Sequence, residues 1–178
     1  MYRITQLLQL NRKLFHTNDL AILWGIADRH NLYMTITRYI DKDVLFPVYK
    51  GLYSAVPISS LNPLELGVAI IHRYTYLTTE SVLSLAGIIA QRVYDYTFVA
   101  NLSRRAVVGL WSFRFRKLKD DFLYHPAGIE DQDGILVAST ERAVADMLYF
   151  NPRYYFDIPE SINKEKVRSI QKEVGYPC

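Results

Sequence analysis

Thiol chemistry is almost absent from this 178-residue chain, whose single cysteine, Cys178, is its last residue. No internal disulfide can form, neither a structural zinc site nor a thiolate nucleophile is expected, and Cys178 reads as a free terminal thiol. Long apolar runs are missing too. The longest, such as residues 82 to 90, are broken by Ser and Gly and fall short of the roughly 18 to 20 residues of a membrane span. The opening Met1-Tyr2-Arg3-Ile4-Thr5-Gln6 lacks the order of a secretory signal, so a soluble, cytoplasmic protein is expected. The four histidines, His16, His30, His72 and His125, have no metal-ligand spacing. There is no Gly-rich phosphate loop, no Gly-x-Ser-x-Gly elbow and no Cys-His pair. Glu130-Asp131-Gln132-Asp133-Gly134 lacks EF-hand spacing and reads as a polar turn before a strand. No catalytic residue, metal or cofactor is expected.

Apolar content is ample, at 50% of residues, and the chain carries a net charge of +3. That excess is not spread evenly. Residues 1 to 55 hold seven Lys/Arg against four acids, whereas residues 56 to 178 hold fourteen of each sign. A phosphate-contacting module needs such an excess at its own end of the chain.

Within that end, Ile4, Leu7, Leu8, Leu14 and Phe15 recur at helical spacing and predict a first helix over about 3 to 13. Thr17 is expected to cap a second helix with Asp19 in its first turn, Leu20, Leu23 and Trp24 on its apolar face, and Gly25 as its stop. After a turn through Asp28, a third helix is predicted over about 30 to 42. On it Asn31, Thr35, Arg38 and Lys42 fall within about 60° of arc, while Leu32, Ile36, Tyr39 and Ile40 fill an opposite apolar sector. Two β-rich runs pinched at Lys50-Gly51 then predict a wing hairpin with a basic tip. Helix, capped helix, turn, polar-faced helix and hairpin make a winged helix-turn-helix over residues 1 to 56. Its expected double-stranded DNA contacts are Thr17, Arg29, His30, Asn31, Tyr33, Thr35, Arg38, Lys42 and Lys50, with Tyr49 nearby. Arg38 suits guanine and Asn31 adenine or a phosphate. Winged helices also serve as protein-binding modules, and that alternative stands.

Pro57 to Pro63 marks a boundary, and residues 62 to 178 predict a second, α+β domain. Asn62-Pro63 opens one helix, Thr78 or Thr79 caps another that stops at Gly87, and Thr140 to Leu148 and about 163 to 173 form two more. Strands are predicted at 96 to 100, 110 to 116 and 134 to 138. Tyr39, Tyr74 and Tyr76 are expected to pack with a hydroxyl at the surface. Arg104, Arg105, Arg114, Arg116, Lys117 and Lys119 lie together without an acid. Arg114 and Arg116 share one strand face opposite Phe113 and Phe115. This basic patch reads either as a second nucleic-acid surface or as a solvated face balanced by neighbouring acidic turns.

Several of these segments together resemble the AbiEi-type antitoxins of type IV toxin–antitoxin, or abortive-infection, systems. The resemblance lies in Lys50-Gly51-Leu52-Tyr53, in Asn62-Pro63, and in Tyr76-Leu77-Thr78-Thr79-Glu80-Ser81-Val82-Leu83 running into Ala86-Gly87-Ile88-Ile89. It continues through Tyr96-Thr97-Phe98-Val99 and Ser139-Thr140-Glu141-Arg142-Ala143-Val144-Ala145-Asp146. It implies an N-terminal winged helix that binds operator DNA and represses its own operon, as a homodimer if the operator is an inverted repeat. It further implies a C-terminal domain that neutralises a nucleotidyltransferase-like toxin. A stand-alone winged-helix regulator, or an interaction module without DNA binding, is the alternative.

Overall fold

The computed structural model describes residues 3–10 and 12–177 and is of the α+β class, with helices and two separate sheets. Cys178 lies outside the described residues. The chain divides into two compact units between Ile70 and Ile71.

In the first unit the order is α1 (Arg3–Gln9), β1 (Leu14–His16), α2 (Thr17–Trp24), α3 (Arg29–Ile40), β2 (Phe46–Tyr49), β3 (Leu52–Ser54) and α4 (Pro63–Ile71). The first helix is shorter than its apolar spacing suggested, because Leu14 and Phe15 are buried on a strand instead. That strand pairs antiparallel with β3, which also pairs with β2, giving the sheet order β1-β3-β2. This order is compatible with the winged helix-turn-helix expected from the sequence. Pro47 sits on the edge strand β2, where a missing N–H is tolerated. Leu7, Phe15, Leu20, Trp24, Leu32, Ile36 and Leu45 form the core, and the Tyr39 ring lies 5.2 Å from that of Trp24. Gly25, in the left-handed region, ends α2 as expected, and Asn62 accepts from the Leu64 N–H ahead of α4.

The second unit contains β4 (Tyr76–Leu77), α5 (Glu80–Leu85), β5 (Asp95–Ala100), β6 (Arg104–Val108), β7 (Trp111–Lys117), α6 (Asp120–Leu123), β8 (Ile129–Gln132), β9 (Ile135–Ala138), α7 (Thr140–Phe150) and α8 (Lys164–Val174). Its strands make one mixed sheet in the order β6-β7-β5-β4-β9-β8. Phe98, Phe113 and Phe115 are buried on one face, with the Phe98 and Phe115 rings stacked at 5.6 Å. Tyr76, Val99 and Arg116 are register neighbours on the other face, which α5 and α7 cover. Glu130, Asp131 and Gln132, read from sequence as part of a polar turn that runs to Gly134, instead belong to β8, which pairs with β9, and the turn contracts to Asp133-Gly134. No helix of the described residues is long and apolar enough to cross a membrane.

Candidate nucleic-acid interface

Helix α3 begins one residue earlier than its pattern suggested, because Asp28 caps it by accepting from the Asn31 N–H at 2.8 Å. Leu32 and Ile36 anchor it in the core, and Arg29, His30, Asn31, Tyr33, Met34, Thr37 and Arg38 are exposed. The exposed arc is therefore centred on His30, Met34 and Thr37. Two expected contacts fall outside it. Thr35 is only 8% exposed, and its hydroxyl donates to the Asn31 carbonyl at 2.8 Å. A Thr whose hydroxyl bonds back to residue i−4 is satisfied internally and packs much as Val does. Lys42 is exposed but lies in the turn after α3, between the equally exposed Asp41 and Asp43. Met34 is apolar and Thr37 uncharged, so neither stood out in the sequence as a groove contact.

Thr17 also takes a different part from the one expected. His16 occupies the capping position of α2, its N–H donating to the Asp19 carboxylate at 2.9 Å, and Thr17 is the first helical residue. The Thr17 hydroxyl and N–H both donate to the carbonyl of Gly51, at 3.1 and 2.9 Å. Gly51 sits in the loop Lys50-Gly51 between β2 and β3 with φ +69°, and a Cβ there would lie 3.1 Å from the Thr17 hydroxyl. Only glycine meets both demands without strain. Lys50 is exposed at the tip beside this clasp, and Tyr49 is half-buried.

The electrostatics of the face are mixed. Arg29, Arg38 and Lys42 are matched in number by Asp28, Asp41 and Asp43. Arg12 is bound to Asp19 at 2.6 Å, an exposed pair worth little to stability. Over residues 1 to 55 the remaining positive excess thus equals Arg3, Lys13 and Lys50.

In the second unit Arg104, Arg105, Arg114, Arg116 and Lys117 do converge, around a shallow depression of about 560 Å³ that Ser103 and Phe150 also line. Two of the five are occupied: Glu80, on α5, lies 3.3 Å from Arg116 and 3.7 Å from Arg114. Arg116 is further sandwiched against the Phe150 ring, 3.8 Å from its centroid. Burial lowers the Arg116 pKa against the opposing pull of Glu80. Arg105 stands directly across from Arg114 in the β6–β7 ladder, a like-charge pair that Glu80 offsets. Arg104, Arg105 and Lys117 remain exposed.

The most heavily bonded cluster was invisible as such in the sequence. Arg142 and Asp146, one turn apart on α7, are both fully buried, with Nε to carboxylate 2.8 Å. The remaining guanidinium N–H groups donate to the carbonyls of Phe122 (2.8 Å), His125 (3.2 Å) and Ala127 (2.9 Å) and to the Tyr76 hydroxyl (2.8 Å). Asp146 accepts from the hydroxyls of Tyr76 (3.0 Å), Thr78 (2.8 Å) and Tyr176. Tyr76 therefore turns its hydroxyl inward, not to the surface. Burial, reinforced by Asp146, pushes the Tyr76 and Tyr176 pKa values up; burial works against the Arg142 charge, but Asp146 outweighs it and raises that pKa. Every donor of the guanidinium is engaged, so the cluster is a structural hub with no valence left for a substrate. Gly128 lets the loop carrying the His125 and Ala127 carbonyls reach α7: a Cβ at its φ of +69° would sit 2.8 Å from the Arg142 Cβ.

Among the described residues no group of three or more His, Cys, Asp or Glu is placed to hold a metal ion. Compared with protein-family models and with characterised proteins, the sequence matches none.

Proposed function

We propose that the chain is a cytoplasmic DNA-binding repressor and antitoxin of the AbiEi type, its first unit a winged helix-turn-helix that reads duplex operator DNA. The observation that carries this reading is the pairing of an exposed α3 face bearing Arg29, Asn31 and Arg38 with a clasped hairpin that presents Lys50. A helix anchored on one side and rich in donors on the other fits a major groove, and a basic wing tip reaches the flanking phosphate or minor groove. The resemblance in the Thr-Thr-Glu-Ser and Thr-Glu-Arg-Ala helices supports assigning toxin neutralisation to the second unit, against a nucleotidyltransferase-like partner. No catalytic residue or cofactor enters this function.

The test is a fluorescence-anisotropy titration of the protein against its own promoter fragment and a scrambled duplex at two salt concentrations. Arg38→Ala is expected to cost about 1–3 kcal/mol on the promoter and to erase the preference over scrambled DNA. Lys50→Ala weakens both duplexes alike and flattens the salt slope by about one unit. Equal loss on both duplexes in the Arg38 variant removes its base-reading role. The matched charges around α3, together with the exposed Met34 at the centre of its face and the exposed Tyr33 beside it, favour one second reading, a protein-interaction module. Absence of salt-dependent binding to either duplex selects it.

A further inference from the structure

The six-stranded sheet ends in two strands of opposite charge. Outside β6 and outside β8 no strand pairs among the described residues. The β6 edge carries the exposed Arg104 and Arg105, and the β8 edge carries the exposed Glu130 and Asp131, followed by Asp133. Charged edge residues usually keep a sheet from extending. Opposite signs change that outcome: two β6 edges repel each other, as do two β8 edges, while a β6 edge attracts a β8 edge.

The backbone directions agree with such a contact. Strands β5 and β7 are parallel and β6 runs against them; β4 and β9 also run against β5, and β8 runs against β9. Strands β6 and β8 are therefore antiparallel to each other. A second copy set beside the first in the same orientation continues the sheet with an antiparallel ladder, the pairing that short strands form most readily. The side-chain faces agree as well. Carried along the register from Arg105 through Arg114, Thr97 and their neighbours to Leu136, the face of Arg105 and Val107 is also that of Ile129 and Asp131. One antiparallel register then sets Arg105 across from Asp131 and Val107 across from Ile129. The same register brings Arg104 diagonal to Glu130. It covers Val107, which is 69% exposed in the single chain, and joins one ion pair to one apolar pair.

We propose that copies of this chain associate by sheet continuation, the basic β6 edge of one adding to the acidic β8 edge of the next. The two surfaces differ, so the contact is heterologous and repeats from copy to copy. A ladder of about four residues is a small interface, and an association weakening beyond about 10⁻⁴ M is its expected scale. The proposal does not depend on DNA binding, and its test contains no nucleic acid.

Sedimentation velocity of the full chain across a concentration series up to about 1 mM, the range that this affinity requires, supplies the test. Association that rises with concentration and falls with added salt is expected. Arg104→Glu/Arg105→Glu makes both edges acidic, and Glu130→Lys/Asp131→Lys makes both basic; each alone is expected to remain monomeric. Mixed, the two variants have complementary edges and are expected to co-sediment. Because Asp131 also accepts from the Gly134 N–H at 2.7 Å, Asp131→Asn, which keeps that acceptor and removes only the charge, is the conservative companion and should weaken self-association. A wild-type chain that stays monomeric throughout, association that persists in either edge variant, or failure of the mixture to co-sediment overturns the proposal.

Discussion

Replacing Asp146 by Asn is nearly isosteric, so it isolates charge from shape at the centre of the second unit. The carboxylate is fully buried, lies 2.8 Å from the Arg142 Nε and accepts three hydroxyls besides. Asn retains one acceptor oxygen, but the guanidinium, also fully buried, loses the one counterion paired with it among the described residues. Breaking a buried pair from one side costs about 3–5 kcal/mol, chiefly the desolvation of the charge left behind. A unit of this size has about 5–15 kcal/mol in total, so much of its stability goes. With a urea slope of about 1–3 kcal/mol per molar, the midpoint should fall by about 1–5 M. Trp111 on β7 reports this unit alone once Trp24 is replaced by Phe, since the chain has two tryptophans. A fall of less than about 0.5 M with an unchanged slope would refute the reasoning, showing that the surrounding carbonyls and hydroxyls suffice to hold the cation.

The remaining expectations concern pH, backbone and the helix face. Tyr76 and Tyr176 are held neutral by burial and by Asp146, so their folded pKa values lie above the unfolded value of about 10. Their contribution is complete below that pH and is lost above it, by up to about 1.4 kcal/mol per pH unit for each tyrosine. Alkaline unfolding followed by Trp111 should show this loss, and Tyr176→Phe should reduce its slope. Gly128→Ala must place a methyl 2.8 Å from the Arg142 Cβ in a left-handed backbone and should destabilise the unit by about 2–4 kcal/mol, read by thermal melting. Thr35→Val, which keeps the shape of a buried side chain bonded only to its own helix, should leave DNA affinity within twofold in the anisotropy assay; a tenfold loss would return Thr35 to the interface.

Much of the architecture was legible from caps and breakers: Gly25 ending α2 and Asn62-Pro63 opening α4. The strands β1, β4, β6 and β8 were not. The first two are only two or three residues long, too short to display a period. Strands β6 and β8 lie at the sheet edges, where charged outward residues interrupt the apolar alternation. Helical spacing alone placed Thr35 beside Arg38, because periodicity gives angles but not the width of the buried arc. Arg142 and Asp146 had the spacing of an ordinary exposed i, i+4 pair. Their burial depends on Tyr76, Tyr176 and the carbonyls of Phe122, His125 and Ala127, brought from distant parts of the chain. The convergence of Arg104 and Arg105 with Arg114 and Arg116 was anticipated, but Glu80, which occupies two of them, came from a helix with no sequence signal linking it to the patch.

The two hydrogen bonds from Thr17 to the Gly51 carbonyl bear on the cost of any encounter at Lys50. A hairpin tip free to wander must give up about 1–2 kcal/mol of backbone entropy for each residue that a partner immobilises. Here part of that ordering is already made in the isolated protein, because the tip is moored to the first turn of α2 through Gly51. What remains to be surrendered includes the rotamer freedom of one lysine side chain, about 2 kcal/mol. Loosening the mooring with Thr17→Val, which removes the hydroxyl bond and keeps the one from the backbone N–H, would transfer part of the ordering to the moment of contact, slowing capture and making the entropy of association less favourable.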